Sequence, residues 1–182
     1  VMRVALIGGT GFVGQYLVDA LLEGGHDVSL LVRRGSEGKV QADVWRKISG
    51  DTADDSAVAA TVAECDAVIY NVGILRESPG QGITFESLQF DGVVRAVDAA
   101  KTAGVRRFLL MSANGAKVPG TPYQETKKRA EDHVLSSGLD ATVFRPSVIF
   151  GDPKGNMEIA TQLYRDVVRP PVPAPGFFHG RG

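Results

Sequence analysis

Arg3-Val4-Ala5-Leu6-Ile7-Gly8-Gly9-Thr10-Gly11-Phe12-Val13-Gly14 opens the chain. A short apolar run ends in a glycine cluster, and Val13, Leu17, Ala20, Leu21 and Gly24 then recur at the spacing of one helix face. Strand, glycine turn and helix make the first half of a dinucleotide-binding unit. A pyrophosphate rests there on the unpaired N–H groups of a helix N-terminus, where the helix dipole favours negative charge. Side chains on the turn would hold the phosphate away, so glycine is needed where the backbone approaches it. Gly9-x-Gly11-x-x-Gly14 fits the dinucleotide fingerprint literally, and Gly8-x-x-Gly11-x-x-Gly14 is a second register of the same cluster.

The 182 residues suffice for one domain with a sizeable core and not for two full ones. A net charge of −1 with mixed signs gives no nucleic-acid surface and no face drawn to a membrane. No apolar run reaches the length of a transmembrane helix. The single cysteine, Cys65, excludes an intrachain disulfide and fits a reducing compartment, so a cytoplasmic location is expected. With no activating partner near it in sequence, Cys65 reads as a small buried hydrophobe. The first strand starts almost at residue 1, and no signal or transit peptide is expected within the chain. Asp, Glu and His show no metal-ligand spacing, so no metal is expected.

Along the chain, Gly24-Gly25-His26 breaks the first helix, with His26 in a solvated turn, and Asp27 to Val32 forms a second strand. A third strand is expected over Asp43 to Ile48, with Trp45 packing on a neighbour, closed by Gly50-Asp51. A helix from Asp54 to Ala63 leads to the strand Ala67 to Tyr70, and Arg76 to Gly82 is a loop. One long helix spans Thr84 to Ala103 and stops at Gly104. The strand Arg107 to Met111 delivers Ser112 to its carboxyl end. Thr121-Pro122-Tyr123-Gln124 supplies an N-cap, a proline at the first helical position and a capping-box partner, and that helix runs to Ser136. The last strand is Ala141 to Phe144. This alternation predicts an α/β fold, a doubly wound parallel sheet of order 3-2-1-4-5-6 with helices on both faces. Residues 1–150 form the dinucleotide-binding domain. Residues 151–182 open a substrate-binding segment that stops short, in a proline-rich stretch from Arg169 followed by Phe177-Phe178-His179. The chain reads as part of a longer protein.

Three places carry chemistry. After the second strand come Arg33 and Arg34, where an NAD site usually places an acid for the ribose 2′-hydroxyl. Guanidinium suits a 2′-phosphate instead, so NADP is expected, with NAD as the alternative; a solvated basic loop is the bland reading. Tyr123 and Lys127, four apart on a helix, share one face. A phenol needs its pKa lowered by about three units to exchange protons near neutrality, and an ammonium about 4 Å away supplies roughly that. Such a pair moves a proton to or from a carbonyl. Ser112, at a strand's carboxyl end, is placed to hydrogen-bond the reacting oxygen, with Asn114 as an alternative. Lys128 and Arg129 lie off the Tyr123 face, and His133 lies on the outer, solvated pattern.

The order Gly-x-x-Gly-x-x-Gly, Asp51, Asn71-Val72-Gly73, Ser112, Tyr123-x-x-x-Lys127 and Arg145-Pro146-Ser147-Val148-Ile149-Phe150-Gly151 resembles the extended or atypical short-chain dehydrogenase/reductase superfamily. Within it the chain is similar to the epimerase/dehydratase-like branch that includes the Rossmann-type accessory subunit of respiratory complex I. The resemblance implies that Gly8, Thr10, Gly11, Phe12 and Val13 line the pyrophosphate and that Asp51 contacts adenine. It implies that Val72 and Gly73, after Asn71, flank the adenosine ribose, that Lys127 bonds the nicotinamide ribose, and that Pro146 to Val148 border the carboxamide. Asp51 as a turn residue and Asn71 as a strand-end cap are the structural alternatives. Ser112 precedes Tyr123 by eleven residues, a shorter connection than most sugar-nucleotide epimerases of the family carry. Two functions are expected. One is an NADP(H)-dependent oxidoreductase acting on a small molecule, with Ser112, Tyr123 and Lys127 as its catalytic residues. The other is a nucleotide-binding redox sensor or accessory subunit without turnover, and a homodimer or a place in a larger complex suits either. A structural module would bind no nucleotide.

Overall fold

The computed structural model describes residues 1–149 and 151. Val4, Ala5, Leu6 and Ile7 are all buried, because β1 (Arg3–Ile7) lies inside a six-stranded sheet of order β3-β2-β1-β4-β5-β6. Every pairing is parallel: Ala5 lies opposite Ser29 of β2 (Asp27–Val32) and Val68 of β4 (Ala67–Tyr70). β3 (Arg46–Ser49) closes one edge, and β5 (Arg107–Met111) and β6 (Asp140–Phe144) complete the other side. The fold and strand order are those the sequence predicts.

Alternate residues of each central strand feed two cores. Leu6, Val28, Leu30 and Val32 pack with Val18 of α1 (Phe12–Glu23). Ala5, Ile7, Val68 and Tyr70 pack with residues of α2 (Asp55–Val62), α3 (Gly92–Thr102) and α4 (Pro122–Leu135). Each large apolar side chain buried in this way contributes about 1.5–3 kcal/mol, so both faces of the sheet are fixed.

Two elements depart from the sequence expectation. β3 starts at Arg46 and not at Asp43, because Val40 and Val44 turn inward to the α1 core. Trp45 packs on side chains as expected, but as an exposed plate between the Arg3 and Arg46 guanidiniums, 4.8 and 3.9 Å from its ring centre. The long helix is also divided, into a π-helical turn (Glu86–Asp91) and α3. Tyr70 is the cause. Its hydroxyl donates to the Leu88 carbonyl at 2.6 Å, while the Gly92 N–H reaches back five residues to Ser87. A Cβ on Gly92 would lie 2.1 Å from that hydroxyl oxygen, so only glycine fits.

α4 begins with both halves of the expected capping box: Thr121 Oγ1 accepts from the Gln124 N–H, and Gln124 Oε1 accepts from the Thr121 N–H. Arg129 joins α4 to the π turn through two hydrogen bonds to Glu86, 2.8 and 2.9 Å. The chain divides into two compact units, Val1–Ser147 and Val148–Gly182. The expectations for Phe150, the substrate-binding segment, the proline-rich stretch, Phe177, Phe178 and His179 fall outside the described residues.

Candidate active site

The glycine loop is built by close packing. Gly8 has φ +98°, and a Cβ there would stand 2.7 Å from the main chain of Asn71. Asn71 ties the loop to the end of β4: its N–H donates to the Ile7 carbonyl at 2.8 Å and its side-chain amide to the Gly8 carbonyl at 3.3 Å. Gly14 is required too, since its Cβ would fall 2.1 Å from the Gly8 carbonyl oxygen. Gly11 differs from both. It is the N-cap of α1 at φ −77°, which any residue adopts, and a Cβ there would meet only the Gly8 carbonyl oxygen, at 3.6 Å. Glycine at this position keeps open a space that no described residue fills. Among the described residues no side chain caps α1, and no acid stands in its first turn. These residues fit a pyrophosphate. Thr10 sits in the same loop, where its carbonyl accepts from the Gln15 side chain at 3.5 Å, a brace that no sequence spacing announced. Phe12 is buried edge-on to Tyr16, so main chain is what Phe12 offers a ligand.

Around the adenosine end, Arg33 and Arg34 are exposed just past β2, with no ion pair recorded for either among the described residues. Arg34 adds to the pull that holds the Asp54 carboxyl below its usual range, after the Ser56 hydroxyl and the Ala57 N–H. Asp51 follows β3, and its carboxylate accepts from the Ala53 N–H at 2.8 Å, bracing the turn into α2. Val72 and Gly73 follow β4 and face Lys127: a Cβ on Gly73 would lie 3.3 Å from the Lys127 nitrogen.

Tyr123 and Lys127 share a face of α4, as their spacing requires. The Lys127 ammonium is buried and donates to the carbonyls of Met111, at 3.1 Å, and Val72, at 3.4 Å, the carboxyl-end positions of β5 and β4. Burial pushes Lys127 down to about 8, and Glu131 opposes that shift. Tyr123 is half-buried with its ring edge-on to Phe85, centroids 5.6 Å apart, and burial pushes its phenol up. The lowering that the sequence argument asked of Lys127 is absent, because the ammonium is turned to the two carbonyls. Phe85 is held in place by its N–H, which donates to Glu77 at 2.7 Å.

Ser112 is buried at the end of β5, and its hydroxyl donates to Glu131. Its hydrogen is therefore directed at a protein carboxylate. Glu131, 1% exposed, also accepts from Arg145, which follows β6, through Nε at 2.8 Å and through Nη2. The Pro146 carbonyl accepts from the Asn114 N–H at 2.8 Å, so Asn114 fixes the turn beside Pro146 with its main chain. Val148 belongs to the second unit. Glu131 and Phe85 were missed from sequence; Glu131 stands four residues after Lys127, as Lys127 does after Tyr123, and that spacing was the available signal. His133 is half-buried and not solvated: its ring lies 6.3 Å from that of Phe90. Among the described residues no group of three metal-ligating side chains occurs, and no helix is long and apolar enough to cross a membrane.

A family model described as NAD(P)H-binding matches residues 8–169. The chain is 31% identical over 171 residues to a ceramide reductase of Caulobacter vibrioides, which covers 93% of this chain and 52% of that protein. It is 30% identical over 155 residues to the mitochondrial NADH dehydrogenase [ubiquinone] 1 alpha subcomplex subunit 9 of Arabidopsis thaliana, over 80% of this chain and 38% of that one. The chain thus spans about half the length of the first of these relatives, and less of the second. Among solved structures, the Bordetella bronchiseptica enzyme WbmH in complex with NAD+ superposes with a TM-score of 0.74 at 20% identity, over 86% of this chain and 59% of that one. That likeness shows the fold.

Proposed function

The chain belongs to the NAD(P)H-binding family of short-chain dehydrogenase/reductase-like Rossmann proteins, and from that membership we propose that it is the nucleotide-binding part of an NADP(H)-preferring oxidoreductase that reduces a small-molecule carbonyl. The observation that carries the reading is the placement of Tyr123 and Lys127 on one helix face, with Lys127 anchored at the carboxyl ends of β4 and β5. Ligands of such sheets bind outside those ends.

In this reading Gly8, Thr10, Gly11, Phe12 and Val13 hold the pyrophosphate through main-chain groups, Gly11 leaving the room. Arg33 and Arg34 hold the 2′-phosphate, and Asp51, Asn71, Val72 and Gly73 border the adenosine. Pro146 borders the carboxamide. Bound NADPH supplies the hydride. Tyr123 supplies the proton, its Oη acting as general acid toward a carbonyl oxygen, although burial alone pushes the phenol up. Lys127, pushed down to about 8 by burial, bonds the nicotinamide ribose. The buried thiol of Cys65, free of any disulfide, is in keeping with a cytoplasmic location.

A second reading has its own support. Ser112 gives its hydrogen to Glu131, leaving one orienting donor fewer for turnover. A nucleotide-binding redox sensor or accessory subunit needs none, and the Arabidopsis relative is named as a subunit of a larger complex.

Fluorescence titration with NADPH and NADH in parallel tests the shared premise. The expected result is saturable binding, tighter for NADPH, after which turnover with ketones and aldehydes separates enzyme from accessory subunit. Binding of neither nucleotide would sink both readings.

A further inference from the structure

Three elements converge on one buried carboxylate. Ser112 comes from the end of β5, Arg145 from the end of β6, and Glu131 itself from α4, one turn beyond Lys127. Glu131 is as buried as the core valines. A carboxylate in such a place is costly unless it is paired and its lone pairs are filled, and this one accepts a hydroxyl and two guanidinium N–H groups. Packing alone would be served by leucine. Neither the surface of the molecule nor its core explains an acid here.

The consequence for Ser112 follows from its inventory. A serine hydroxyl has one hydrogen and two lone pairs. With the hydrogen given to Glu131, the oxygen can only accept from anything else in the site. It cannot donate to a carbonyl oxygen, but it can receive a hydroxyl hydrogen. We propose that Glu131 is the positioning residue of this site: it fixes Ser112 as an acceptor facing the reacting group, ties the Arg145-Pro146 turn to the helix that carries Tyr123, and supplies the negative charge beside Lys127. The role of the reacting group rests on the oxidoreductase reading; the lock itself does not.

Among the described residues, the charged or titratable groups about Lys127 are Tyr123 and Glu131 on α4 and, through Glu131, Arg145 beyond β6. The ends of β4 and β5 offer it the carbonyls of Val72 and Met111, and Ser112 adds a neutral hydroxyl that bonds Glu131. Glu131 favours the ammonium against burial, so its removal has a sign that can be read.

The full chain, labelled with 13C at the lysine Cε, is titrated by NMR, the Lys127 signal being the one that disappears in Lys127→Arg. In Glu131→Gln the Lys127 midpoint should fall by about one pH unit or more, and Glu131→Asp should bring it back most of the way. Arg145→Gln should move the midpoint upward, because the guanidinium no longer neutralises the carboxylate. A general loosening of the fold would not give opposite signs. An unchanged midpoint in a folded Glu131→Gln protein overturns the proposal. If that variant does not fold, Arg145→Gln is read beside Arg145→Lys, which keeps the charge: an upward shift in the first that the second does not share supports the proposal, and no shift in the first, or an equal shift in both, overturns it. Nucleotide titration of the wild type is independent of this outcome: binding of neither NADPH nor NADH defeats the dinucleotide reading, whereas the Lys127 midpoint judges the lock.

Discussion

A Cβ on Gly14 would stand 2.1 Å from the carbonyl oxygen of Gly8, so the first turn of α1 rests directly on the loop that leaves β1. For Gly11, three residues earlier, no described residue would come closer than 3.6 Å. Gly14→Ala must therefore displace backbone and should cost about 1–3 kcal/mol in urea unfolding. Gly11→Ala should leave stability within about 1 kcal/mol of wild type yet weaken nucleotide binding about tenfold or more, ~1.4 kcal/mol. Equal losses of stability in the two variants would remove the case that Gly11 reserves ligand space.

Arg33→Ala should weaken NADPH by roughly 10- to 150-fold, corresponding to one charge-assisted hydrogen bond of about 1.5–3 kcal/mol, and leave NADH almost untouched. Competition titrations at fixed ionic strength measure the ratio. A parallel loss of both nucleotides would mean that Arg33 serves the loop and not the 2′-phosphate.

Tyr123→Phe keeps the ring against Phe85 and deletes only the hydroxyl. Turnover of a carbonyl substrate should drop about 10²- to 10⁴-fold, with nucleotide affinity as in wild type. Steady-state kinetics beside a binding titration check this; retained turnover would leave the phenol without a role in proton transfer.

Lys127 has a folded pKa of about 8, below its unfolded value. Between about pH 8 and pH 10.4 the unfolded chain binds more protons than the native one, so stability rises with pH across that window. Below it, the buried ammonium is a cost of about 3 kcal/mol at most. Measured against Lys127→Met, the wild type should gain stability by up to that amount from about pH 7 to pH 10, and the tyrosines, common to both proteins, cancel. A flat difference would show that the nitrogen is solvated in the folded state.

What could be read in the chain beforehand followed from local chemistry. The strand–glycine–helix opening, the capping box at Thr121 and the apolar strands each depend on neighbours within a few residues, and the structure places each as expected apart from the start of β3. Missed features are long-range. Nothing near Leu88 says that the hydroxyl of Tyr70, eighteen residues earlier, will take its carbonyl. Nothing near Ser112 says that its hydrogen will go to Glu131. The direction of the Tyr123 shift was missed for the same reason: spacing puts Lys127 on the right face, while carbonyls from two other strands decide where its nitrogen points.

The π turn at Glu86–Asp91 also makes length, and not only chemistry, a determinant of the site. A π turn carries one residue more than the α-helical count, so deleting a single residue there would let the segment wind as ordinary helix. The turn absorbs that residue and keeps its two flanks in phase; were it to close to α-helical winding with the residue kept, everything on its N-terminal side would rotate by about 100° relative to α3. Phe85 would leave the Tyr123 ring and Glu86 would leave Arg129, although no residue of the catalytic face had changed. A change at Tyr70 that closed this turn would re-aim the wall beside Tyr123, a step by which a domain of this kind can change what it accepts while its sheet and nucleotide loop stay as they are.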